Sequence, residues 1–132
     1  MKFQIALLRF FAIASDLVAL AYFFMPAQMS GLLGIQLTQP SAIGDVRASY
    51  GGLIIGLAIF LWLCANPTHA RTGVRLLLLA IVGLMTGRLF GILVDGPTNT
   101  AGLLLLGIEI STTIACLLAL RANPAPAHLQ TA

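Results

Sequence analysis

Apolar positions in this chain gather into four long runs, at about Ile5 to Phe24, Val46 to Ala65, Gly73 to Val94 and Asn99 to Leu120. Each comes close to the 20 or so apolar residues that a helix rising 1.5 Å per residue needs to cross about 30 Å of hydrocarbon, and each is too long for a strand. The pattern predicts an all-α fold, an integral membrane four-helix bundle. Breakers fall between the runs: "MPAQMSGLLGIQLTQPSAIGD" holds two prolines and three glycines, "NPTHART" contains a proline turn, and "DGPTNT" a Gly-Pro turn. Within the first connector "GLLGIQL" is apolar but too short to span, which suits a segment on the membrane surface or a turn capping the bundle.

Composition agrees with the periodicity. Of 132 residues 59% are hydrophobic and only 8% charged, with a mean hydropathy of +1.00, whereas about a quarter of a soluble domain is charged. Four spans use up the length, so residues 1–121 read as one transmembrane domain and 122–132, rich in Pro and Ala, as a disordered tail. The net charge of +3 is scattered with no basic run, which excludes a nucleic-acid surface. Lys2, Arg71, Arg75 and Arg121 fall at one set of helix ends, and only Arg47, beside Asp45, at the other. Both termini are therefore expected in the cytoplasm of a multi-pass protein of a bacterial inner membrane. Lys2, the apolar run and "ALA" at 19–21 imitate a signal peptide, but Arg9 and Asp16 interrupt the run and argue for retention.

Cys64 and Cys116 read as small apolar residues with reduced thiols. Neither His69, in a loop, nor His128, in the tail, lies in a helix core, so no haem, di-iron or zinc centre and no other cofactor or metal is expected.

Chemistry has to come from polar residues inside the apolar runs, which cost a few kcal/mol there and so turn to a bundle interior or a wet cavity. Counted at 1.5 Å per residue, Arg47 and Asp95 lie at the outer boundary, Tyr50 and Arg88 about 6 to 9 Å below it, and Asp16 and Glu109 about 12 to 15 Å below it. Arg88 is then within reach of both deep carboxyls. Seven-residue steps join Arg88 to Asp95 and Arg9 to Asp16, one stripe carries Glu109, Thr112, Thr113 and Cys116, and another Arg9, Ala12, Asp16 and Ala19. The sequence thus predicts one connected cluster, with Asp16 and Glu109 as candidate acids and Arg47, Tyr50, Arg88, Asp95, Thr112 and Thr113 as ligand contacts. Two acids beside one arginine leave one carboxyl to spare, and Glu109 is the preferred proton donor. Taken singly, Arg47 also suits an interfacial anchor, Tyr50 an aromatic belt, and Arg88 with a carboxylate a purely structural ion pair.

Small-xxx-small spacing at Gly52 and Gly56, and at Gly83, Gly87 and Gly91, predicts close packing of the second helix on the third.

"RASYGGLIIGLAIF", then "GRLFGILVDG" and a lone glutamate in the last run, resemble a family of small bacterial four-helix membrane proteins known only as a domain of unknown function, the one numbered four-three-four-five. Its pattern, R-x-x-Y-G-G followed by G-R-x-x-G-x-x-x-D-G, falls on Arg47, Tyr50, Gly51, Gly52, Gly87, Arg88, Gly91, Asp95 and Gly96. The resemblance implies the four-helix fold over nearly the whole chain and carries no activity. A looser likeness to the small oxidoreductase-associated subunits of the DoxX type concerns the fold alone.

Three classes of function fit. One is an outward-facing polar pocket for a small lipophilic or amphipathic molecule, equipped for cofactor-free acid-base chemistry such as isomerisation or ring opening. Another is an accessory or assembly subunit, partnered by a membrane protein or by its own copies, with the Gly102 side of the last helix as the contact. A proton-linked transporter is disfavoured by the lack of an inverted repeat.

Overall fold

The protein, described here by a computed structural model over residues 1–122, is all-helical across those residues. The elements are α1 (Lys2–Phe24), α2 (Pro26–Leu32), α3 (Pro40–Leu63), α4 (Ala70–Asp95) and α5 (Thr100–Ala122). Helices α1, α3, α4 and α5, of 23, 24, 26 and 23 residues, are each long and apolar enough to cross a membrane. Residues 123–132, most of the expected tail, lie outside the described residues.

Two boundaries moved for a physical reason. Helix α3 starts at Pro40 rather than near Val46, because proline is favoured in a first helical turn where its missing N–H has no partner to lose. Its start is α-helical over Pro40–Val46, wider and π-helical over Arg47–Gly52, then α-helical again over Leu53–Leu63. The short helix in the first connector is α2, upstream of most of "GLLGIQL". It buries Pro26 and Ser30, and Asn99 Nδ2 donates to its Leu32 carbonyl at 3.3 Å, so α2 closes over the end of the bundle where α5 begins.

Helix α1 packs along α3, and α4 along α5; α1 also bridges to α4 and α5. The core gathers at the Asn66 end, where Leu8, Leu61, Val74, Cys116 and Ala119 are buried together. Gln4 Nε2 donates to the Ala119 carbonyl at 3.0 Å and Arg71 Nη1 to that of Leu120 at 3.4 Å, meeting two of the acceptors that a helix C-terminus leaves open. Gly73 is the close approach here: a Cβ on it would come within 2.6 Å of the Cys64 Cβ. Packing thins toward the Asp95 end, and α4 buries no residue beyond Leu77.

The expected glycine contacts do not form. A Cβ on Gly56, Gly83 or Gly87 would meet nothing within 4 Å, and one on Gly52 or Gly91 would meet only atoms of its own helix. The reason lies in the pairing. With α3 held along α1 and α4 along α5, α3 and α4 touch only briefly, around Cys64 and Gly73. Gly102 also fails as an outward contact: it is buried, and its N–H donates to Oδ1 of Asn99 at 2.8 Å as part of the α5 N-cap.

Candidate functional site

Arg88 and Glu109 meet between α4 and α5. Arg88 Nε lies 3.2 Å from both carboxylate oxygens, and Nη2 donates to Oε1 at 2.9 Å. The Glu109 side chain is only 6% exposed and that of Arg88 23%. Two guanidinium nitrogens thus hold the carboxylate in a forked, charge-assisted arrangement, the form in which a buried charge is best tolerated. The Arg88 Nη1 makes no hydrogen bond among the described residues.

Above the pair lies a recess of about 340 Å³, lined by Arg88, Gly91, Ile92, Asp95, Pro97 and Thr98. The seven-residue step that puts Arg88 and Asp95 on one face of α4 brings both to this recess. Gly96, at φ 101°, ends α4 in a backbone conformation open mainly to glycine and turns the chain across the rim.

The motif R-x-x-Y-G-G has a different task from the one expected of Arg47. Arg47 Nε donates to the Phe23 carbonyl at 3.1 Å, filling an acceptor at the C-terminal end of α1. Gly51 is buried on the same residue: a Cβ there would lie 3.0 Å from Phe23 Cδ2 and 3.2 Å from its Cα. Between them Tyr50 stacks on Tyr22, with ring centroids 5.2 Å apart. The π-helical turn presents all three side by side to α1. Arg47 is therefore tied to α1 and does not line the recess.

Tyr22 was not expected in the cluster. It is buried and stacks on Tyr50, so it joins α1 to the start of α3. A signal existed: one more step of three along the stripe through Ala12 and Ala19 reaches Tyr22.

Asp16 stands apart. It lines a lateral groove of about 160 Å³ between α1 and α3, with Ala12, Ile13, Ala58, Ile59 and Trp62, and forms no ion pair or hydrogen bond among the described residues. Ala12 and Ala19 are buried while Asp16 is half-buried, so the expected stripe turns its small residues inward and its acid to the α3 flank. Nor is Glu109 the spare acid, since both its oxygens face Arg88. The Thr112 and Thr113 hydroxyls donate within their own helix, to the carbonyls of Ile108 at 2.7 Å and Glu109 at 2.8 Å, as threonines in apolar helices commonly do.

Cys64 and Cys116 are free thiols in the core. Among the described residues no three of His, Cys, Asp and Glu converge to hold a metal ion.

A search of the curated proteins and of the solved structures finds no match to this chain. The family model of a domain of unknown function, DUF4345, matches residues 3–120, which take in nearly all of the four long helices, and the chain belongs to that family.

Proposed function

We propose that this multi-pass membrane protein holds the polar group of a small amphipathic molecule in the recess above Arg88 and Glu109. The observation that carries the reading is the place of Arg88, which lines the recess while Glu109 holds two of its nitrogens. The third nitrogen makes no hydrogen bond among the described residues and is the donor proposed for the guest. The pair is neutral as a whole and Asp95 stands on the wall, so a carbonyl or hydroxyl oxygen suits the site better than a second anion. Ile92, Pro97 and Gly91 offer apolar contact beside it, and the volume falls within the usual range for small-molecule sites. Any proton transfer here would fall to Asp95, the carboxyl on the wall without a partner among the described residues. The loop charges favour an outward-opening recess with both termini in the cytoplasm, as in a bacterial inner membrane.

Native mass spectrometry of the protein extracted from its own membrane tests the reading. A bound molecule should be retained, and Gly91→Trp, which fills the recess where a Cβ has room, should displace it. An empty native protein, or equal retention by both, refutes it.

A second reading, as an accessory subunit or homo-oligomer, draws on Gly56, Gly83 and Gly87. With open space at each, these glycines leave helix faces that another helix could approach closely.

A further inference from the structure

Asp16 is the ionisable group that the cluster leaves unused. It lies 14 residues from the start of α1 and eight from its end, which at 1.5 Å per residue is about 21 Å and about 12 Å along the axis. Both distances exceed the reach of an aspartate side chain, which cannot snorkel to water as lysine and arginine do. A carboxyl at that depth is costly unless paired, and intramembrane acids usually face a partner. The groove around it opens sideways, since Ile13, Ile59 and Trp62 are each about half exposed. At its floor are Ala12 and Ala58, both buried and small enough to let another backbone come near. Arg9, whose guanidinium sits 5.9 Å from the centre of the Trp62 ring, marks the end of the groove nearer Asn66.

We propose that the α1–α3 groove is a docking surface for a transmembrane helix of another polypeptide, which places a lysine or arginine side chain against Asp16. Charge complementarity selects this occupant. A lipid headgroup stays at the interface and does not reach this depth. A second copy is disfavoured by symmetry: a two-fold axis along the membrane normal sets equal depths together, so Asp16 would meet Asp16, while Arg9 lies about 10 Å away along the helix. The groove's modest volume suits a single long side chain.

Trp62, the only tryptophan in the chain, reports on the groove directly. The full-length protein in phosphatidylcholine vesicles would be titrated with Leu/Ala transmembrane peptides bearing a brominated residue near mid-span and Lys, Leu or Asp at the centre. The Lys peptide should quench Trp62 and bind about tenfold more tightly than the Leu peptide, the size expected of a polar contact between membrane helices. Asp16→Asn should abolish that preference, and Asp45→Asn, which removes an exposed carboxyl outside the groove and the recess, should keep it. If Asp16→Asn does not fold, the ranking of Lys over Leu over Asp in the unaltered protein still decides. Equal quenching by the three peptides, or a Lys preference that survives in Asp16→Asn, overturns the proposal. Efficient cross-linking of two Asp16→Cys copies would overturn it in favour of a homodimer.

Discussion

Arg88 and Glu109 make one prediction at the scale of single residues. Losing one partner of a buried pair strands the other, so Arg88→Met or Glu109→Leu alone should cost about 3 kcal/mol, and the double variant should be more stable than either. Chemical denaturation in detergent measures this cycle, and additive single effects would show that the pair is not coupled. The double variant also separates structure from function: if the recess binds an amphipathic molecule, a folded Arg88→Met/Glu109→Leu protein should no longer retain it. That these two residues meet was legible from depth and reach. That Asp16 does not join them was not, because the stripe of Ala12, Asp16 and Ala19 spans an arc wide enough to face either α3 or α4, and only packing chooses.

Among the elements, α3 shows how one short motif fastens a helix. Arg47, Tyr50 and Gly51, spaced i, i+3 and i+4, share one face of its first turns and all address the end of α1. Gly51→Leu would drive a side chain into the backbone of Phe23 and should destabilise the protein by about 1 to 3 kcal/mol, as overpacking does elsewhere. Gly56→Leu, five residues on and facing open space, should leave stability within about 0.5 kcal/mol. Thermal unfolding of the two variants side by side checks the assignment, and equal losses would contradict it. The same logic predicts that Gly73→Leu is damaging and Gly83→Leu is not. Glycine spacing alone could not sort these positions, since the small-xxx-small pattern says that a close approach is allowed and nothing about which helix makes it.

For the molecule as a whole, core packing is concentrated at the Asn66 end, and the recess of the proposed function lies at the more loosely packed Asp95 end. The basic residues predict which end faces outward. Single cysteines at Gln39 and Thr98, beyond the opposite ends of the bundle from Cys64 and Cys116, should react with a membrane-impermeant thiol reagent added to intact cells. The native thiols are buried and should contribute little background. Protection of both introduced cysteines until the membrane is permeabilised would reverse the orientation.

The number of spans and their approximate limits follow from the sequence by itself, because they depend on chain length, hydropathy and the fixed rise of a helix. Helix pairing, the register of α1 against α3, the partners of Arg47 and Arg88 and the separation of Asp16 from Glu109 were decided by tertiary structure. In an apolar chain almost every face of a helix is compatible with lipid, so the hydrophobic pattern does not say which side turns inward. That choice is made by close contacts such as Gly51 on Phe23 and Gly73 on Cys64, which exist only once two helices have met.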